Sequence, residues 1–217
     1  MLRKMGTINR GILGGFSNKV GNIVGSSWKG IAVVKSLPLS VANPNTVPQQ
    51  GVRTRFTGMV AIASTLTPIF LKKVWNRGAM QMSGFNAFVK ANIMSCFSAG
   101  GIYTPGAMVI SDSNESPQDV ESITASAATN VITFDWSDAH LVGNQKADDI
   151  AFIAVISAAG IVVAASYNLA TRATETLAAE ASRQLGEGEK LDCYISFQSA
   201  NGFRNFGQSY VQVTVAA

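Results

Sequence analysis

Asp135, Asp138, His140, Asp148 and Asp149 fall within one short stretch of the chain, and their side chains are of types that do acid–base or metal chemistry. A hard divalent cation wants several carboxylate oxygens, so this stretch is the natural place to look for one. The spacing lacks the glycine and the twelfth-position glutamate of an EF-hand, and we read it as a solvated loop between strands. Asp135 and Asp138 lack a second feature that would make them an acid–base pair, and His140 reads as an exposed loop residue. His140 is the one histidine, and Cys96 and Cys193 are isolated, which leaves almost no room for a His/Cys metal cage within one chain. The same scarcity removes most nucleophile–histidine mechanisms unless His140 takes part. The expectation is a non-enzymatic protein with no catalytic residue, no metal and no cofactor.

The basic side chains carry a stronger signal. Residues 1–111 contain twelve: Arg3, Lys4, Arg10, Lys19, Lys29, Lys35, Arg53, Arg55, Lys72, Lys73, Arg77 and Lys90. They contain no Asp or Glu, and all thirteen acids, with only five bases, lie from Asp112 onward. The net charge of +4 is therefore the remainder of +12 against −8. Such asymmetry between halves points to a polyanion partner for the basic part. Nucleic acid fits, because lysine and arginine on phosphates release counterions and bind without regard to sequence. An acidic protein surface, including that of a neighbouring copy, fits too. We take Arg3, Lys4, Arg10, Lys19, Lys29, Lys35, Arg53 and Arg55 as the candidate nucleic-acid or polyanion contacts. Phe16 and Trp28 are interleaved with them; they suit stacking on unpaired bases or anchoring on a neighbouring protein, and we take them as subunit contacts.

These residues must be held by elements the sequence also announces. The chain has 217 residues, 47% of them hydrophobic and 14% charged, as an ordered protein with a sizeable core has. Residues 1–50 read as a basic, glycine-rich arm or hairpin followed by a proline-rich linker. Val20–Ser26 and Trp28–Ser36 are the expected strands of that arm, and two strands alone are marginal in water. The glycine spacing matches neither a Walker A loop nor a dinucleotide fingerprint. Residues 51–103 read as a short helical segment. Val52, Phe56, Met59, Val60, Ala63 and Leu66 recur at helical spacing and predict a helix over about 49–66. Pro68 ends it or opens the next turn, a short helix follows over 69–75, Ser83 caps another, and Gly100-Gly101 ends that one.

Residues 104–217 read as an acidic antiparallel β-sandwich. Strands are expected at Met108–Ser111, Ile123–Ser126, Asn130–Trp136, Ile150–Ser157, Gly160–Ser166, Ala173–Ala179, Leu191–Gln198 and Val211–Val215, with turn residues between. Leu191, Cys193, Ile195 and Phe197 alternate inward against Asp192, Tyr194 and Ser196, and Trp136, Phe197 and Cys193 read as core. The fold class is thus α+β, mainly β. No run of 18 apolar residues and no signal-like apolar core is present, so no membrane span is expected and the two cysteines are expected as free thiols of a reducing cytoplasm.

The arm also carries a resemblance. The segment from Gly11-Ile12-Leu13-Gly14-Gly15-Phe16 to Trp28-Lys29-Gly30 resembles the opening signature of an uncharacterised family found in Bacteroidetes and their phages. Ser36-Leu37-Pro38, Met82-Ser83-Gly84-Phe85-Asn86-Ala87, Trp136-Ser137-Asp138, Ala147-Asp148-Asp149, Tyr194-Ile195-Ser196-Phe197 and Ser209-Tyr210-Val211 extend the likeness over nearly the whole chain. Asn18 stands where the family's arm usually has glycine, and asparagine tolerates left-handed backbone. The resemblance implies an arm and helices followed by an immunoglobulin- or fibronectin-like sandwich, and it implies no catalytic residue. With the charge layout it implies a self-assembling phage capsid or head component, located in the virion, whose partners are further copies, packaged nucleic acid or other virion proteins. A cytoplasmic nucleic-acid-binding protein and an adhesion or tail-associated module are the alternatives.

Overall fold

The computed structural model describes residues 7–8, 15–28, 31–37, 40, 43–113, 124–128, 130–137, 141 and 143–216. It divides into two compact units, Met1–Asn45 and Thr46–Ala217.

In the first unit β1 (Thr7–Ile8), β2 (Phe16–Val20), β3 (Ile23–Trp28) and β4 (Ile31–Ser36) form an antiparallel sheet in chain order. The expected strand Val20–Ser26 is in fact broken by a turn at Gly21-Asn22. Gly21 takes φ +59° at the first turn position, where a two-residue hairpin asks for glycine. Asn18 adopts φ +78°, the left-handed backbone its side chain permits. Gly25 is the one buried position among residues 15–27 and 31–37. A Cβ there would lie 2.1 Å from the Phe16 carbonyl oxygen, so the close pass of β2 over β3 requires glycine.

The second unit begins with α1 (Val47–Leu66), close to the expected 49–66. Thr46 opens it, its N–H donating to Gln49 Oε1 at 3.2 Å, and Pro48 sits in the first turn, where a missing N–H costs nothing. Pro68 neither ends the helix nor starts a separate one. The chain widens into a π-helical turn over Thr67–Leu71 and runs on as α2 (Lys72–Val74). A wider turn absorbs a proline that cannot donate, and it aims Phe70 and Leu71 together into the core. α3 (Gly84–Asn92) is capped by Ser83 Oγ, which accepts from the Asn86 N–H at 3.3 Å.

α3 stops at Asn92 instead of at Gly100-Gly101, and Met108–Ser111 is not a strand. One arrangement accounts for both. Asn92, fully buried, donates through Nδ2 to the Phe88 and Val109 carbonyls and accepts from the Val109 N–H at 2.7 Å. Gln208 does the same one residue to either side, accepting from the Ile110 N–H and donating to the Met108 carbonyl, both at 2.6 Å. Side-chain amides thus satisfy a backbone that a neighbouring strand would otherwise have to pair.

The strands β5 (Thr124–Ala127), β6 (Val131–Asp135), β7 (Ile150–Ser157), β8 (Val162–Thr171), β9 (Thr176–Glu180), β10 (Lys190–Gln198) and β11 (Asn205–Thr214) complete the unit. They form a three-stranded sheet, β5-β6-β9, facing a four-stranded one, β11-β10-β7-β8, antiparallel throughout. The fold is α+β and mainly β, with the strand arrangement of an immunoglobulin- or fibronectin-like sandwich. Trp136, Phe197 and Cys193 lie in the core between the sheets, the two rings edge to face at 5.5 Å.

β10 does not alternate between core and water. Leu191, Cys193, Ile195 and Phe197 enter the core between the sheets, but Asp192, Tyr194 and Ser196 are buried as well. Phe152, Ala154, Ile156 and Tyr194 pack in a second core with Met59, Leu66, Phe70, Trp75, Phe88 and Phe97 of the helical segment. The segments 51–103 and 104–217 therefore share a core, and the four-stranded sheet is the middle of three layers. Both of its faces are covered, which is why β7 reads as a continuous apolar run. The polar side chains of β10 find partners inside: Tyr194 Oη lies 2.9 Å from Tyr103 Oη, and Asp192 Oδ1 accepts from Tyr210 Oη and Gln212 Nε2. Among the described residues one helix, Val47–Val74, is long and apolar enough to cross a membrane, but its apolar side, Met59 to Val74, forms this second core.

Candidate functional site

Of the candidate polyanion contacts, Arg3, Lys4, Arg10 and Lys29 lie outside the described residues. The structure brings Lys19 and Lys35 together. Lys19 pairs across the strands with Val24, and Val24 with Lys35, so the three line one row on one face of the N-terminal sheet. Both lysines are exposed. Phe16 is half-buried against Gly25, inside its own sheet. Trp28 closes the β3–β4 ladder opposite Ile31.

Arg53 and Arg55 do not share a patch, because residues two apart on a helix point to different sides. Arg53 is exposed, whereas Arg55 is half-buried, its Nη1 3.9 Å from Met94 Sδ and its Nε buried without a hydrogen-bond partner. Two further bases of the acid-free stretch hold layers together. The Lys73 ammonium lies 4.1 Å from the centre of the Tyr167 ring on β8. The Arg77 guanidinium stacks 3.6 Å over Phe203 in the β10–β11 turn and donates to the Gly202 carbonyl. Each such contact is worth about 0.5–1 kcal/mol at an exposed site. The cation and its ring are about a hundred residues apart in the chain, so no local pattern announces the pair.

The acidic segment is only partly the solvated loop expected. Asp138 and His140 lie outside the described residues, and Asp135 and Asp148 are exposed. Asp149 is wholly buried. Its Oδ2 accepts from the Lys146 N–H at 2.8 Å and from Arg172 Nε at 3.3 Å, and its Oδ1 is buried with no partner. Burial pushes the Asp149 carboxyl above its usual range; the Lys146 N–H and Arg172 pull the other way. Arg172 lies over the Phe197 ring at 4.2 Å, and its carbonyl accepts from Trp136 Nε1, so the ion pair is built into the end of the sandwich core. A cavity of about 480 Å³ opens beside it, walled by residues 143–146, 148 and 149 and, from the β10–β11 turn, by 199–201 and 204.

Among the described residues no three His, Cys, Asp or Glu side chains converge as metal ligands. Cys96 and Cys193 are free and buried, and burial pushes their thiols up to about 11 and about 12, far from the thiolate a nucleophile needs.

Comparison with curated proteins finds no match. Among solved structures the chain is similar to the spore cortex lytic enzyme SleM of Clostridium perfringens, with 17% identity over 45% of this chain and 28% of that one and a TM-score of 0.29. It is similar also to an FMN-binding beta-glucuronidase from Facaelibacterium prausnitzii L2-6, with 16% identity over 43% of this chain and 14% of that one and a TM-score of 0.30. The chain spans less than a third of either structure, and likenesses this slight carry no argument about activity. The family model, by contrast, matches residues 15–212, from the N-terminal sheet to the last strand, and the chain belongs to the family of unknown function DUF6266.

Proposed function

We propose that this chain is a non-enzymatic, self-assembling structural protein whose N-terminal sheet joins one copy to the next, and that it serves as a capsid or head component of a phage particle. The reading rests on one observation. Among the described residues the N-terminal sheet shows no core of its own: of 15–27 and 31–37 Gly25 alone is buried, while Ile23, Ile31 and Val34 are 42%, 60% and 57% exposed. Strands rich in β-branched residues need an apolar face covered before they are stable, and an uncovered sheet edge recruits another chain. Charge favours a second copy as the cover. Residues 1–45 hold six bases and no acid, while every acid of the chain lies at 112 or beyond. The exposed Lys19 and Lys35, on either side of half-buried Val24, also suit phosphates, and packaged nucleic acid is the further partner of this basic part. The resemblance of the arm to a family of Bacteroidetes and their phages supports the virion setting.

Electron microscopy and sedimentation of the full chain, with and without nucleic acid, test this. Regular shells, tubes or rings are expected, and deletion of residues 1–36 is expected to leave a folded chain that no longer assembles. A monodisperse monomer under all conditions overturns the proposal, and an unfolded deletion product shows that the arm belongs to the core.

A further inference from the structure

The three-stranded sheet has one face in the core and one in water. Ile132 and Phe134 of β6 and Leu177 and Ala179 of β9 point into the core. The residues between them make the outer face, where Val131, Thr133 and Asp135 stand opposite Glu180, Ala178 and Thr176. All six are exposed except half-buried Thr133. The three strands carry no lysine or arginine, and Arg183, just past β9, is held by Glu189. This face is therefore acidic, with a carboxylate at each end and small side chains between them.

The face of the N-terminal sheet that bears Lys19 and Lys35 is its counterpart. Strand alternation puts Ile31 and Val33 on the same face as Lys35, and they are 60% and 37% exposed. A phosphate chain would neutralise the lysines and leave these apolar side chains in water, whereas a sheet face covers both. The dimensions agree as well. Lys19 and Lys35 are two strand spacings apart, about 10 Å, and Asp135 and Glu180 are four residues and one strand apart, about 14 Å, a difference that lysine side chains span.

We propose that the lysine-bearing face of the N-terminal sheet packs on the outer face of the β5-β6-β9 sheet of a second copy, with Lys19 and Lys35 paired to Asp135 and Glu180. This contact presupposes the self-assembly proposed above and names the surface on which it closes. Its two halves are different surfaces, so each copy has one of each to offer, and copies add until a ring or shell closes. Apolar and small side chains at the centre with charges at the rim are the usual anatomy of an interface. Nucleic acid is the rival occupant of the lysines.

Two variants of the full chain separate these readings: Lys19→Glu with Lys35→Glu, and Asp135→Lys with Glu180→Lys. All four positions are exposed, so the melting transition of the second unit is expected to stay in place. By sedimentation, with and without nucleic acid, each variant is expected to need at least about tenfold more protein than wild type to assemble, because like charges then meet. Mixed in equal amounts, the two variants are expected to assemble again, since the glutamates of one then face the lysines placed on the other. The proposal is overturned if the Asp135/Glu180 variant assembles like wild type, and a defect in the lysine variant alone assigns those lysines to phosphates. It is overturned as well if the mixture of folded variants does not recover. A wild-type chain that never assembles refutes the self-assembly itself; wild type and variants that all assemble refute only this docking surface.

Discussion

Phe70→Ala tests whether the helical layer and the sandwich are one cooperative body. Phe70 is fully buried in the π-helical turn, and its ring lies 5.2 Å from that of Phe152 on the middle sheet. Removing a buried phenylalanine ring costs about 3–5 kcal/mol, the lost transfer free energy plus the cavity left behind. Collapse of the site is resisted on the sheet side by β7, which is paired on both edges, to β10 and to β8. For a unit of this size each kcal/mol lowers the melting temperature by about 2–4 °C, so a drop of about 6–20 °C is expected. The assay is calorimetry together with thermal melts followed by far-UV and near-UV circular dichroism. If Thr46–Ala217 unfolds as one body, all signals shift together in a single transition. The reasoning is refuted if the helical signal melts early while the tryptophan and tyrosine signals of the sandwich keep the wild-type midpoint. It is refuted as well if the shift is under a degree.

The thiols of Cys96 and Cys193 are expected to resist an aromatic disulfide reagent at mildly alkaline pH in the folded protein and to react fully in denaturant, since burial holds both far above that pH; rapid native labelling of either contradicts their buried positions. Gly25→Val places a side chain into the Phe16 backbone, so it is expected to abolish assembly while leaving the melting transition of the second unit unchanged. Asn92→Ala strips the Val109 N–H and carbonyl of their partners and is expected to cost at least about 2 kcal/mol in urea denaturation. Burial raises the Asp149 carboxyl above the 3.8 of an unfolded chain. The folded state therefore holds that proton more tightly, and this group's contribution to stability falls as pH rises from 3.8 through its raised folded value, then levels off. Asp149→Asn is expected to remove that slope from the acid-range stability profile; an unchanged slope counts against the burial of this carboxyl.

Much of the second unit was legible because its signals are local. Helical recurrence from Val52 to Leu66 and the capping serine at Ser83 announced α1 and α3, and β-branched runs between turn residues announced β6, β7, β8 and β10. The errors share one cause. Met108–Ser111 has the composition of a strand, but its backbone partners are the side chains of Asn92 and Gln208, 17 and about a hundred residues away. Asp192, Tyr194 and Ser196 look like the wet face of a sheet, because nothing in β10 tells that helices cover it. The candidate site was legible only in outline. The lysine row needed the strand register to bring Lys19 beside Lys35, and Asp149 read as a loop acid because Arg172, its partner, belongs to a distant connection.

By itself the sequence determined the class of each element, the segregation of charge between the two parts of the chain and the scarcity of residues for catalysis, since propensity, charge and composition belong to residues one at a time. Only the tertiary structure decided that the middle sheet is covered on both faces, that one aspartate of a polar loop is buried beside a cavity, and that the described residues 15–27 and 31–37 of the N-terminal sheet bury Gly25 alone. Burial is a property of what packs against a residue, and for this chain the packing neighbours come from far along it.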